Sequence, residues 1–244
     1  MLVPADMPWS RLLARWSLAQ ASLAVGLLIV FLVGVGFDPA LPADRAELVG
    51  ASRSLGSFRL AMVFDGLSWA SVGGTLLIFA GLFAHSAPKR AVFAAACGAG
   101  MVSGILGSTL RLDATSDLAG RYAAASPEQQ TAIVDSYLLL AQVITSHFAA
   151  GHLMQILGFG LAASMALGTV GFPRWIALSL ALLATSATAF FALDIVDVFS
   201  FPLLIVHVLV FSIALNVAIA LRLWNGLSAS VPPLDVRTTA MGPG

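Results

Sequence analysis

Long apolar runs dominate the pattern of hydrophobic and polar positions along this 244-residue chain. A helix needs about 20 residues to cross the hydrocarbon core of a bilayer, and six apolar runs have about that length or more. The pattern therefore predicts an all-α polytopic membrane protein, a compact bundle of six transmembrane helices formed by a single domain, residues 1–225. Residues 226–244 are predicted to be a disordered cytoplasmic tail. The predicted spans cover residues 17–37, 60–84, 91–110, 138–168, 175–193 and 202–222.

The composition also indicates a membrane protein. Hydrophobic residues make up 59% of the chain and charged residues 10%, whereas soluble domains carry about 25% charged residues. The formal net charge is zero, so the chain lacks the basic surface that is typical of nucleic-acid binding. The lipid bilayer is thus the first predicted partner, and no nucleic-acid partner is expected.

The distribution of Lys and Arg predicts the orientation of the bundle. Seven of these residues fall in the terminal segments and the second and fourth loops, and five fall in the alternate loops. Because cytoplasmic segments carry the excess of Lys and Arg, both termini are predicted to be cytoplasmic. An even number of spans independently places both termini on one side. The two sets are Arg11, Arg15, Lys89, Arg90, Arg174, Arg222 and Arg237 against Arg45, Arg53, Arg59, Arg111 and Arg121.

The largest predicted break between spans is the outer loop 111–137. Within it, Ser126 is followed by Pro at the first helical position and, three residues after the Ser, by Gln129, which completes a capping box. The fourth helix is therefore predicted to begin near 127 and to run to about 168, roughly 60 Å at helical rise. A helix of that length is predicted to bend near Gly151 or Gly158.

Small residues recur at four-residue spacing in the third span, CGAGMVSGILGS, where Gly100 and Gly104 form one such pair. This spacing lets two helix backbones approach closely in lipid. Two interpretations are open: tight packing inside one bundle, or a face for self-association or for a membrane-protein partner.

Three ionisable residues lie within the predicted outer half of the membrane. At helical rise, Asp65, His207 and His147 are about 9, 8 and 15 Å from the outer edge. Ionisable groups inside spans usually face the bundle interior or a wet cavity. These three residues are therefore predicted to converge on an outer-half polar pocket.

His147 and His152 belong to the stretch SHFAAGH of the fourth span. Their five-residue spacing places them about 140° apart around a helix, so they cannot bind one metal from a single face. His152 shares its side of the helix with Gln142 and Thr145. A metal or haem would have to use His147 together with residues of other helices, and His207 and Asp65 are the best candidates by depth.

Three hypotheses follow for the polar pocket. The first is structural pairing between buried histidine and aspartate. The second is a site for a small lipophilic molecule, which includes an enzyme that transforms it with Asp65 and His147 as the catalytic candidates, since histidine titrates near neutrality. The third is metal or haem ligation by His147 and His207. The candidate ligand-binding residues are Arg59, Gln142, His152 and His207.

The stretch GSFRLAMVFDGLSWASVGGTLLIFAG, residues 56–81, resembles the second-helix region of a bacterial integral-membrane family known only as a domain of unknown function, with the pattern F-R-L-G-F-x-x-D. The stretch 146–182, with SHF, GFG and GFPR in order, is similar to a later helix and turn of that family. The resemblance implies a bundle of six or so spans in a bacterial inner membrane. It makes Arg59, Asp65 and His147 family-like positions without an assigned role.

The predicted function is a membrane protein that binds a small lipophilic molecule in the outer-half pocket. The alternatives are an accessory subunit of a larger membrane complex, a haem- or metal-binding protein, and a small transporter. A subunit would expose its small-residue faces, and a binder would have a cavity that reaches Asp65 and His147. A transporter would have broken helices and access from both sides.

Overall fold

The computed structural model describes residues 8–30, 43–170, 172–196 and 206–229, and every regular element in these ranges is helical. The predicted all-α fold class is therefore confirmed. The elements are α1 (Pro8–Val30), α2 (Ala43–Arg53), α3 (Leu55–Phe83), α4 (Pro88–Gly100), α5 (Val102–Ala124), α6 (Pro127–Gly168), α7 (Arg174–Ile195), a π-helical segment (Val208–Leu215) and α8 (Asn216–Ala229).

Five helices in the described ranges are long and apolar enough to cross a membrane. The chain is thus a helical membrane protein by the length and composition of its elements. The sixth predicted span corresponds to a shorter apolar helix, Val208–Leu223, and residues 202–205 of that span lie outside the described ranges. The five spans are Arg11–Val30, Leu55–Phe83, Pro88–Ala124, Pro127–Gly168 and Arg174–Leu193.

The predicted outer loop 111–137 is wrong over its first half. Helix α5 continues to Ala124, and only residues 125–126 separate it from α6. The extension is stable because Leu118 and Ala119 are buried against a short helix, α2, that hydropathy does not reveal. We call this part of the molecule, where α2 covers the start of α3, the end of α5 and the start of α6, the α2 end.

The chain termini and span limits also differ from the prediction. Helix α1 begins at Pro8, nine residues before the predicted span, and residues 31–37 of that span lie outside the described ranges. The predicted disordered tail, 226–244, is helical as far as Ala229, and its remainder is outside the described ranges. The fifth span agrees closely with α7.

Helix α6 follows the prediction at both ends. The Ser126 hydroxyl accepts a hydrogen bond from the backbone N–H of Gln129, and the Gln129 side chain accepts one from the Ser126 backbone N–H at 3.0 Å. This capping box starts α6 at Pro127, and the helix ends at Gly168. The two glycines at which a bend is predicted are points of close contact with α3, because Gly151 faces Trp69 and Gly158 faces Leu76.

Close contact between helix backbones holds the centre of the bundle together. A Cβ on Gly73 of α3 would lie 2.8 Å from the carbonyl oxygen of Gly98 in α4, and the reverse distance is 2.9 Å. Between α4 and α5, Met101 keeps a right-handed helical backbone, so the two helices form one nearly continuous span. Helix α6 packs along α7, and α1 closes the bundle by packing on α3, the π-helical segment and α8.

Candidate functional site

Asp65 of α3 lies inside a membrane-spanning segment and accepts a hydrogen bond from the Ser108 hydroxyl of α5 at 2.6 Å. The Ser108 oxygen also lies 3.1 Å from the backbone carbonyl of Gly104, one turn earlier in α5. Since a hydroxyl has a single proton to donate, the two acceptors share or exchange it. Asp65 as a residue is half-buried.

Arg111 of α5 forms a two-pronged ion pair with Glu47 of α2. Its Nε donates to Glu47 Oε1 at 2.7 Å, and its Nη2 pairs with Glu47 Oε2. The guanidinium carbon also lies 5.9 Å from the centre of the Phe148 ring of α6. The pair therefore joins α2 to α5 at the α2 end through opposite charges.

Sequence reasoning missed this ion pair because it treated Arg111 as one of several outer-loop charges. Arg111 and Glu47 are 64 residues apart in the chain, so no local spacing links them. The available signal was chemical: an arginine at the end of an apolar helix needs an acidic partner or a headgroup.

His147 and His152 face different neighbours, as their spacing predicts. The Ser103 hydroxyl of α5 donates to the His147 carbonyl oxygen at 3.0 Å and lies 3.5 Å from the His147 ring Nδ1. The His152 ring instead lies 5.0 Å from the Trp69 ring and 5.4 Å from the Phe190 ring, measured between centroids. His147 thus belongs to the contact between α5 and α6, and His152 belongs to the interior between α3 and α7.

Six rings follow one another through the bundle, each within contact distance of the next. The five centroid separations are 5.8, 5.0, 5.4, 5.2 and 5.6 Å. Ring pairs at these distances attract through offset-stacked or edge-to-face geometry. We call this set the aromatic series. In order it consists of Phe148, Trp69, His152, Phe190, His207 and Phe211.

His207 is the fifth ring of the aromatic series and directly precedes the π-helical segment. Its Nδ1 is 2.6 Å from the Ser186 hydroxyl of α7. The ring also lines a cavity of about 30 Å³ among α1, α3, α6, α7 and the π-helical segment. Neither Asp65 nor His147 lines this cavity. Three residues were predicted to converge. Asp65 and His147 hydrogen-bond to Ser108 and Ser103 of α5, five residues apart, whereas His207 hydrogen-bonds to Ser186 of α7.

The other predicted site residues are more peripheral. Arg59 is exposed, lines an open groove between α3 and α5, and donates through Nε to the Ser116 hydroxyl at 3.3 Å. Gln142 is exposed on α6. Gly100 and Gly104 face Met154 and Trp69 of the same chain, so intramolecular contacts occupy this face. In the described ranges no group of three or more His, Cys, Asp or Glu residues could hold a metal ion.

The fold and these contacts define a helical membrane protein that holds charged and aromatic side chains inside its spans. No family model, no curated protein and no solved structure matches the chain. The function is therefore inferred from the residues of the site.

Proposed function

We propose that this chain is a bacterial inner-membrane protein with six transmembrane helices and both termini in the cytoplasm. Five long spans and the apolar helix Val208–Leu223 support the count. The excess of Lys and Arg in the terminal segments and the second and fourth loops supports the orientation. With this orientation, the α2 end is the outer end of the bundle.

We further propose that the outer half of the bundle binds a small lipophilic molecule. The observation that carries this proposal is the placement of Asp65 one helical turn from Trp69 on the same face of α3. Asp65 and Trp69, the second ring of the aromatic series, are therefore neighbours. A carboxyl group inside a span is costly, and such groups mark binding or proton-transfer sites more often than packing sites.

The chemistry of these neighbours defines the class of ligand. A flat ring or an unsaturated chain fits the faces of Trp69 and His152, because such groups stack on aromatic rings. A hydroxyl group on that molecule can donate to Asp65, and a carbonyl group can accept from Ser108. The ligand is therefore a lipophilic molecule with an oxygen-bearing head, such as a ring-containing isoprenoid.

If the protein transforms this molecule, Asp65 is the acid or base and His152 is its partner. The His152 ring contacts that of Trp69, which lies one turn from Asp65 in α3, whereas His147 is packed against Ser103 of α5. These contacts support His152, in place of the His147 that the sequence suggested, as the second member of the proposed pair.

The alternative classes have less support in the described residues. An accessory subunit would expose its small-residue faces, but Gly104 and Gly107 are covered by Trp69 and Phe148. A haem between His147 and His207 would need both rings on one surface, and they contact different helices. The ligand-binding class therefore has the most support in these residues.

The test is mass spectrometry of small molecules extracted from the full-length protein after purification in mild detergent. We expect the wild type to carry one lipophilic compound in near-stoichiometric amount, and Asp65→Asn to lose most of it. Asp113→Asn is the matched control, because it changes an exposed carboxylate on α5, and it should retain the compound. Equal retention by Asp65→Asn, or a wild type that carries only bulk lipid, would contradict the proposal.

An absorption spectrum and metal analysis of the same samples separate the haem alternative. A Soret band that disappears in His147→Ala or His207→Ala would replace the proposed ligand by haem. The expected spectrum shows only protein absorption and that of the extracted compound.

A further inference from the structure

We propose that the cavity beside His207 is an internal water site, separate from the ligand site at Asp65. The cavity has a volume of about 30 Å³. One water needs roughly 10–15 Å³ of such volume and two to four polar partners, so the cavity has room for one or two waters. It is too small for a lipophilic ligand.

Polar side chains supply the partners that water needs. Six of them line the cavity, contributed by α1, α3, α6, the π-helical segment and α8. So many polar groups at the centre of a membrane bundle are costly unless their hydrogen bonds are satisfied. They are Ser17, Gln20, Thr75, Gln155, Ser212 and Asn216.

Two of these side chains belong to residues that are almost fully buried. Gln155 is 8% exposed and Ser17 is 1% exposed, and both line the cavity. A buried polar group left unpaired costs about 1–3 kcal/mol. Water in the cavity offers both side chains a partner there.

Gln20 and Asn216 each use only part of their hydrogen-bonding capacity within the protein, and the rest can bind the water. The Thr75 hydroxyl lies 2.8 Å from Gln20 Oε1, which leaves the Gln20 amide protons free to donate. Asn216 Nδ2 donates to the carbonyl oxygens of Phe211 and Ser212 at 3.2 and 3.1 Å, which leaves its Oδ1 as an acceptor. Both carbonyls belong to the π-helical segment, and such segments often occur at functional sites.

His207 has a second ring nitrogen that can bond to this water. Because Nδ1 of His207 is engaged with Ser186, Nε2 is the ring nitrogen available for another partner. Water between His207 and the amide groups of Gln155 and Asn216 forms a hydrogen-bonded connection from the aromatic series to the centre of the bundle. The inference rests on the cavity alone and holds whether or not a ligand binds at Asp65.

Hydroxyl-radical footprinting by X-ray radiolysis tests the inference, because radicals generated from a bound water label the side chains beside it. Phe79 lines the cavity, and Phe83, one turn further along α3, does not. Both side chains are buried, at 0% and 2% exposure, so bulk water reaches neither. In the full-length protein in lipid nanodiscs, Phe79 should be labelled several-fold faster than Phe83.

Gln155→Leu should abolish the difference, because leucine removes two water partners and keeps a side chain of similar volume. Gln142→Leu is the matched control: it changes an exposed glutamine on the same helix and should leave the labelling of Phe79 unchanged. If Gln155→Leu does not purify as a folded protein, Ser17→Ala should reduce the labelling of Phe79 in its place. Equal and slow labelling of Phe79 and Phe83 in the wild type would show that the cavity is dry and would overturn the inference.

Discussion

Gly104 of α5 leaves the space that the indole ring of Trp69 from α3 occupies, and a Cβ at position 104 would overlap the ring. One turn later in α5 and one turn earlier in α3, the Ser108 hydroxyl donates a hydrogen bond to Asp65. The apolar contact and the polar contact are therefore neighbours on the same pair of helices. The position of the Asp65 carboxyl group depends on how closely Trp69 approaches the α5 backbone.

Gly104→Ala should destabilise the protein by about 1–3 kcal/mol, the usual cost of an extra methyl group in a filled core. Trp69 has little room to shift, because a Cβ at Gly151 of α6 would already lie 2.7 Å from its ring. The measurement is thermal unfolding in one fixed detergent, followed by tryptophan fluorescence.

Gly120→Ala provides the control in the same helix. A Cβ at Gly120 meets nothing within 4 Å, and alanine is preferred over glycine in a helix by roughly 0.5–1 kcal/mol. Its melting temperature should equal or exceed that of the wild type. If Gly104→Ala and Gly120→Ala melt together, the close approach of Trp69 to α5 is wrong.

Glu47→Gln should destabilise the α2 end by about 1.5 kcal/mol or more, the usual range for hydrogen bonds to charged groups. The Arg111 and Glu47 side chains are only 26% and 13% exposed, so water compensates the loss poorly. The same change combined with Arg111→Gln should cost less than the two single changes added together, because no uncompensated charge remains.

An exposed ion pair on the same helix is the comparison. Asp117 and Arg121 lie 2.7 Å apart with side chains 58% and 66% exposed, and exposed pairs contribute about 0–1 kcal/mol. Asp117→Asn should therefore melt within a degree or two of the wild type. Chemical denaturation monitored by circular dichroism measures both variants, and equal effects of Glu47→Gln and Asp117→Asn would contradict the structural role of the Arg111 pair.

The sequence predicted the spans because apolar length is a local property. The sequence did not predict α2 or the second half of α5, because these helical segments are not apolar throughout. Leu48 and Leu118 stabilise these helices by packing across the α2 end, and a hydropathy window does not detect such contacts. The start of α6 was predictable because the Ser126 capping box is complete within four residues.

The sequence predicted the part of the candidate site that depends on local spacing within one helix. The spacing of His147 and His152 indicated that they face different neighbours, and they do. The four-residue spacing of Asp65 and Trp69 was equally visible in the sequence and would have linked the carboxyl group to the aromatic series. The position of His207 relative to Phe190 depends on how α7 packs against the π-helical segment, and no local pattern encodes that contact.

Ser126→Ala should remove the capping box of α6 and destabilise the protein by about 1 kcal/mol. The effect should be greatest at the first turn of α6, where backbone N–H groups lose their acceptor. Hydrogen exchange of residues 128–133 measures it, and faster exchange is expected there. Ser136→Ala, at an exposed position further along the same helix, should leave exchange at 128–133 unchanged. Equal exchange in the two variants would mean that the box does not hold the helix start.

The orientation of the bundle is tested by reporters at two positions of the full-length chain. A reporter fused after Gly244 should be active only in the cytoplasm, and one inserted between Ala125 and Ser126 should be active only outside it. The inserted reporter lies in the short turn between α5 and α6, where an insertion interrupts no helical hydrogen bond. The proposal places three spans between the two reporters. If both reporters read the same side, the number of spans between them is even, as it would be if the helix Val208–Leu223 did not cross the membrane. Asp65 would remain at the α2 end in that case, but the six-span count would be wrong.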